Sequence, residues 1–178
     1  MIEREIVVKT PDGPMRVFTC RPGGDAPFPV AVLYMDAPGY RDQLKLNARQ
    51  FADGGYYVAV PDLFHHFGER VTFDIAKLAE EQFQGPESAR LKAVTSKLTP
   101  PLVVADTKAL LAEVATDSSA DPGPKVTVGY CLGARCMLDA ASALPEEFVS
   151  GAGIHPGALV TDAPDSPHLQ LGRVRAEL

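Results

Sequence analysis

Val126-Thr127-Val128-Gly129-Tyr130-Cys131-Leu132-Gly133-Ala134-Arg135 is a β-branched run that ends in Gly-x-Cys-x-Gly and leads into an alanine-rich apolar segment. This order predicts a strand, a very tight turn and a helix, with the Cys131 thiol at the apex. Glycine is required on both sides of the cysteine because the two backbone segments approach too closely for a Cβ atom. An ordinary strand–loop–helix joint with a buried cysteine is the alternative interpretation.

The predicted turn gives Cys131 a chemical role. It places the sulfur at the N-terminus of the following helix, where the helix dipole and unpaired N–H groups favour the nucleophilic thiolate form. The N–H of Leu132, directly after the nucleophile, would point at an oxygen that develops negative charge during acyl transfer. The stretch therefore predicts a cysteine nucleophile with one oxyanion donor.

Gly129-Tyr130-Cys131-Leu132-Gly133 resembles the nucleophile elbow of the dienelactone hydrolase family, cysteine-dependent members of the α/β-hydrolase fold. The match is specific, because most α/β-hydrolases carry serine at this apex. A dinucleotide site is a weak alternative, since Gly-x-Gly-x-x-Gly requires glycine where Cys131 stands. The resemblance implies hydrolysis of a small-molecule ester or lactone through a Cys131 thioester, with no cofactor or metal.

Composition and charge exclude several other classes of protein. The 178 residues, 46% hydrophobic and 22% charged, indicate a single globular domain. The net charge of −6 argues against nucleic acid or an anionic membrane as the main partner. No signal leader opens the chain, and no apolar run approaches the roughly 20 residues of a membrane span. Because the three cysteines have no framework spacing, we expect a soluble, cytoplasmic protein.

The other segments predict an α/β fold: an α/β-hydrolase-like sandwich with a mostly parallel central sheet. Five runs have the apolar or alternating pattern of strands: 3–9, 15–19, 29–35, 56–60 and 148–154. Helical spacing of apolar residues occurs in four segments: 43–53, 71–99 with a break at Gly85-Pro86, 99–114 and 134–144. The alternation of strand and helix is typical of a parallel sheet.

Asp36 and Ala37 directly follow the buried strand 29–35. Loops beyond the carboxyl ends of parallel strands build the site in such folds. The second oxyanion donor of this fold comes from the loop after an early central strand, so the N–H of Ala37 is our candidate. The resemblance also implies an acidic residue near the nucleophile here, and we expect Asp36 to tune the thiol. An Asp that caps its own turn is the alternative.

The histidines and arginines supply further candidates. His65 and His66 follow strand 56–60, and adjacent side chains on extended backbone point in opposite directions. We therefore expect no metal site there, and a loop or pocket-lining role for His65. His155 follows strand 148–154 beside the elbow and is a candidate base or pocket residue. Arg70 and Arg90 are candidates to meet an anionic substrate.

The triad acid and histidine of the family have no matching position in this chain, which stops at Leu178, where the next strand would begin. We expect a chain that lacks the C-terminal part of the family's fold. Two alternatives to a working hydrolase follow. One is a catalytically impaired remnant or binding module that keeps the pocket. The other is self-association through the exposed sheet edge at strand 148–154.

Overall fold

A computed structural model describes residues 1–25, 27–68 and 71–178. Within them, six strands form one sheet in the order β1-β2-β4-β3-β5-β6. The strands are β1 (Ile2–Thr10), β2 (Gly13–Arg21), β3 (Val30–Tyr34), β4 (Tyr57–Pro61), β5 (Lys125–Tyr130) and β6 (Phe148–Ile154). The α-helices are α1 (Asp42–Asp53), α2 (Ile75–Glu80), α3 (Pro86–Thr95), α4 (Pro100–Val114) and α5 (Leu132–Ala143). Two 3₁₀ helices span Leu63–Phe67 and Pro167–Arg173.

The first two strands, at the predicted runs 3–9 and 15–19, form an antiparallel hairpin at one side of the sheet, and β2 also pairs antiparallel with β4. The remaining pairs, β4 with β3, β3 with β5 and β5 with β6, are parallel. Strands β3 and β4 are buried along their whole length, which explains their continuous apolar sequence. The α/β class with a mostly parallel sheet is therefore confirmed.

The connections between the parallel strands place helices on both faces of the sheet. Right-handed crossovers put α1 on one face and both α4 and α5 on the other, because the chain moves in opposite directions across the sheet. Helices α4 and α5 pack against each other. The carboxyl ends of β3, β4, β5 and β6 consequently share one edge, and the candidate functional residues follow these four strands.

The segment before α4 has the predicted break. Gly85 is the N-cap of α3 and Pro86 is its first residue, so two short helices replace one continuous helix. Residues 158–178 contain one 3₁₀ helix, Pro167–Arg173. No helix among the described residues is both long enough and apolar enough to cross a membrane.

Strand β6 lies at the edge of the sheet, and the backbone of Glu177 pairs with the outer side of its first half. Glu177 forms an isolated parallel bridge with Ser150. The N–H of Gly151 donates to Glu177 O at 2.8 Å, and the N–H of Glu177 donates to Val149 O at 3.0 Å. Residues 152–154 of β6 are exposed.

Candidate active site

The backbone at Cys131 has the conformation of a strained elbow. Its φ of +52° and ψ of −110° lie in a region that residues with a side chain rarely adopt. Cys131 is the N-cap of α5, and its own N–H donates to Ile154 O at 2.9 Å. The structure therefore places Cys131 between the end of β5 and the start of α5, with its backbone N–H bonded to the end of β6.

Gly129 and Gly133 are required by direct backbone contact across the elbow. A Cβ on Gly129 would lie 2.5 Å from the N atom of Ala134 and would also collide with the Gly133 carbonyl. A Cβ on Gly133 would lie 2.6 Å from Met35 O, at the end of β3. No real Cβ approaches backbone atoms so closely, so the glycine spacing follows from the packing of β5, α5 and β3.

The two candidate oxyanion donors lie on adjoining segments. The N–H of Leu132 is the first of α5 and has no partner within that helix. Ala37 lies two residues after Met35, whose carbonyl contacts the elbow. Across residues 1–25, 27–68 and 71–178, neither amide donates to another group. Both are therefore available to an oxyanion, and that role stays a prediction.

The three thiols have very different surroundings. All three cysteines are unpaired, and only Cys131 is partly exposed. Burial raises the pKa of Cys20 to about 12 and raises the pKa of Cys136 as well. Cys136 is buried in the core. The elbow thus presents the accessible thiol of the chain.

Asp36 follows β3 as predicted, but its carboxylate is held by Arg41. Nη1 and Nη2 of Arg41 donate to Oδ1 and Oδ2 of Asp36, the second at 2.6 Å. Nη1 also donates to Gly39 O at 3.2 Å, and the N–H of Gly39 donates to Asp36 O at 2.9 Å. Asp36 therefore organises the turn that carries Ala37. Its tuning of the thiol stays a prediction.

His155 lies beside the elbow, directly after the residue that accepts the Cys131 N–H bond. Its φ of +41° is unusual for a side-chain residue, and its imidazole is exposed with its centroid 6.5 Å from the Tyr130 ring. Within the part of the chain that the structure describes, its side chain has no hydrogen-bond partner. Its role as a base stays a prediction, and no acid is seen to orient it.

The prediction that His65 and His66 point in opposite directions is wrong. The backbone there is a 3₁₀ helix rather than extended, and the two rings lie 3.9 Å apart between centroids. Both converge on Asp106 in α4. His65 Nε2 lies 3.1 Å from each Asp106 oxygen, and His66 Nε2 lies 2.8 Å from Oδ2. His65 therefore bonds within a buried cluster.

Arg90, a candidate to bind an anionic substrate, contacts Glu87 and Phe73. It pairs with Glu87 at 2.8 Å, and its guanidinium lies 4.2 Å above the centroid of the Phe73 ring. These contacts fix the side chain on α3, although part of it remains exposed. Arg70 lies outside the described residues.

Two adjoining cavities, of about 510 Å³ and 430 Å³, lie where α4 meets the 3₁₀ helix Pro167–Arg173. Pro100, Gln170 and Arg173 line both. Neither is lined by Cys131, Leu132 or Ala37, so these cavities are separate from the candidate site.

Sequence inspection missed Arg41 and Asp106. Asp106 had a detectable signal, because it lies three residues after Val103 and four before Leu110, within the apolar face of α4. A fully buried Asp on such a face requires partners. Arg41 had no comparable signal, since its contact with Asp36 depends on the shape of the loop.

Comparisons with known proteins identify the family and the fold of this chain. Residues 15–176 match the model of the dienelactone hydrolase family. A Klebsiella pneumoniae subsp. pneumoniae MGH 78578 structure, provisionally assigned as a dienelactone hydrolase, superposes with a TM-score of 0.77 at 20% identity, over 98% of this chain and 69% of that one.

Two further structures share the fold. A dienelactone hydrolase from Anabaena variabilis ATCC 29413 has a TM-score of 0.66 at 16% identity, over 98% of this chain and 70% of its own. A dienelactone hydrolase-like promiscuous phosphotriesterase from metagenomic libraries has a TM-score of 0.66 at 20% identity, over 99% of this chain and 66% of its own. The chain thus spans about two thirds of the length of these structures. A comparison with curated proteins gives no significant match.

Proposed function

This chain belongs to the dienelactone hydrolase family, and on that premise we propose that it attacks an ester or lactone carbonyl of a small molecule with the Cys131 thiolate. The observation that carries the proposal is the elbow. A partly exposed cysteine with φ of +52° caps a helix, between two glycines that admit no Cβ. A conformation of this kind requires the surrounding structure to hold it, and such strain is concentrated at functional sites.

The proposed reaction begins with attack of Cys131 Sγ on the carbonyl carbon. A C–S bond forms, and the carbonyl oxygen takes the negative charge between the N–H groups of Leu132 and Ala37. The C–O bond then breaks, the alkoxide takes a proton from water, and Cys131 carries a thioester; the alcohol of an ester departs, whereas that of a lactone stays tethered to the acyl group. Water attacks the thioester carbon and regenerates the thiol with release of the acid.

The second step requires a base, and His155 is the candidate because of its place beside the elbow. The alternative is an impaired chain that forms the thioester but does not release it. The exposed, unpartnered imidazole of His155 among the described residues favours this alternative, because triad histidines are oriented by an acid. The two possibilities predict different kinetics.

A burst experiment with an activated aryl ester separates them. A working base gives steady turnover that His155→Ala removes, whereas an impaired chain gives one equivalent of alcohol per chain and then stops. His168→Ala is the matched control, since His168 bonds to Ser166 away from the elbow. In both cases Cys131→Ala abolishes the burst. Steady turnover that survives Cys131→Ala contradicts the proposal.

The substrate class is tested with the same protein. We expect acylation by aryl esters and by small lactones, because both offer a carbonyl carbon to the thiolate. A phosphotriester is the informative third probe, since a structural neighbour is described as a promiscuous phosphotriesterase. Product release from the phosphotriester alone would mean that the ester and lactone assignment is wrong.

A further inference from the structure

We propose that His65, His66 and Asp106 bind a divalent transition-metal ion, with Zn²⁺ the best match to the ligands. The site is independent of the Cys131 chemistry. It joins the 3₁₀ helix Leu63–Phe67, after β4, to the middle of α4, a sequence separation of 40 to 41 residues. Two imidazoles and one carboxylate form a three-ligand set typical of zinc, which leaves a fourth position for water.

The spacing of the ligand atoms fits a single ion. One nitrogen of each histidine and one oxygen of Asp106 all lie within 4.8 Å of one another. The nitrogen–oxygen distances are 2.8 and 3.1 Å. With zinc–ligand bonds near 2.0–2.2 Å, neighbouring ligand atoms of a tetrahedral site lie about 3.4 Å apart. The two nitrogen–oxygen pairs therefore have to open by only about half an ångström to admit the ion.

The burial of Asp106 also favours a cation. Its side chain is 0% exposed, and both histidine side chains are 5% exposed. Buried carboxylates are paired with a cation or coordinate a metal, because an isolated charge loses its hydration. Within the described residues, the side-chain groups that bond to Asp106 are these two imidazoles. A divalent ion held by the two imidazoles would supply a charge that compensates the carboxylate.

Neighbouring residues support the ligands. Nδ1 of His66 faces the Asp12 carboxylate at 3.9 Å, and metal-ligating histidines commonly direct their second nitrogen at a carboxylate. Asp62 caps the 3₁₀ helix by accepting the N–H of Phe64 at 3.2 Å, and it pairs with Arg16 of β2 at 2.6 Å. The helix that carries both histidines is therefore fixed to the sheet before any ion binds.

The test uses the full chain in a Cys131→Ala background, which removes the accessible thiol as a competing ligand. The protein is freed of metal with a chelator, and Zn²⁺ binding is measured by titration calorimetry. Co²⁺ binding is measured in parallel by visible absorption, which reports ligand geometry. We expect one ion per chain. His65→Gln, His66→Gln and Asp106→Asn should each weaken Zn²⁺ binding by at least about tenfold.

His168→Gln is the matched control, because it removes an imidazole elsewhere in the chain and should leave the affinity unchanged. Circular dichroism of each variant establishes whether it is folded. If Asp106→Asn is unfolded, the Zn²⁺ titrations of the parent chain and of the histidine variants test the proposal. The proposal is wrong if the folded parent chain takes up no ion. It is equally wrong if binding persists unchanged in both His65→Gln and His66→Gln.

Discussion

At the scale of single residues, the site depends on one strained cysteine and on the two glycines that allow it. Cys131 has a backbone conformation that costs of the order of 1–3 kcal/mol. The surrounding contacts hold this conformation in place. The N–H of Cys131 donates to Ile154 O, and Gly129 and Gly133 let β5, α5 and β3 pack together without Cβ atoms between them. The Gly-x-Cys-x-Gly pattern could be recognised from sequence because it is a local requirement of the backbone.

The accessibility of the thiols predicts their order of alkylation. Iodoacetamide at neutral pH should label Cys131 first, because it is partly exposed. Cys20 and Cys136 are buried, and burial raises the pKa of each, so little thiolate is present. Peptide mapping over time measures the three rates. Equal rates, or fastest labelling of Cys136, would mean that the elbow is not formed as described.

The close approach at Gly133 predicts a large loss of stability on substitution. Gly133→Ala places a methyl group against the Tyr34 and Met35 carbonyls, which belong to backbone that cannot easily move. We expect the free energy of unfolding to fall by about 3 kcal/mol or more, the upper end for overpacking. Gly172→Ala is the control, because a Cβ there has nothing within 4 Å. Equal urea midpoints for the two variants would contradict the packing of α5 on β3.

At the scale of secondary-structure elements, local patterns predicted most of the fold. The strand 148–154 has the predicted bounds, and the break at Gly85-Pro86 separates α2 from α3. Patterns of this kind succeed because burial and helix capping act between near neighbours. The convergence of His65 and His66 on Asp106 could not be predicted in this way. It depends on an unexpected 3₁₀ helix and on the placement of α4 some 40 residues later.

Another contact between elements predicts a pH-dependent stability difference. Asp139 of α5 is buried and accepts a hydrogen bond from Nε2 of Gln170 at 2.8 Å, which joins α5 to the 3₁₀ helix Pro167–Arg173. Desolvation raises the pKa of Asp139 above its usual value of 3.8. The folded state therefore favours the protonated acid, and stability is lost as the pH rises through the raised pKa.

Asp139→Asn keeps an oxygen for Gln170 and removes the charge. We expect a higher free energy of unfolding than in the parent chain at pH 7. The difference should shrink as the pH falls, and vanish below the unfolded-state value of 3.8. Urea unfolding at several pH values measures it, with exposed Asp162→Asn as the control. A destabilised Asp139→Asn at pH 7 would show that the hydrogen bond outweighs desolvation.

At the scale of the whole molecule, the sheet brings the ends of four parallel strands to one edge, so the candidate residues that follow these strands lie along that edge although they are far apart in sequence. Cys131 follows β5, Ala37 follows β3 and His155 follows β6. The other consequence of this order is the open edge at β6, where residues beyond the Ser150–Glu177 bridge are exposed.

We predict that the 178-residue chain associates with itself through this edge, because exposed strand ends present unpaired N–H and C=O groups. Sedimentation velocity over a range of concentrations measures the association. Ala152→Lys should reduce it, since a charged side chain on an edge strand opposes pairing. Val160→Lys adds the same charge at a loop position that is 73% exposed, and should have no effect. A parent chain that stays monomeric at high concentration would contradict the prediction.

The central claim is that Cys131 is an acyl-accepting nucleophile. The most direct test is to mix the chain with p-nitrophenyl acetate, quench in acid, and locate the acetyl group by mass spectrometry of peptides. The proposed chemistry predicts at most one acetyl group per chain, on the peptide that contains Cys131, and none in the folded Cys131→Ala variant. Acetylation confined to other residues, or the same amount in Cys131→Ala, would contradict it.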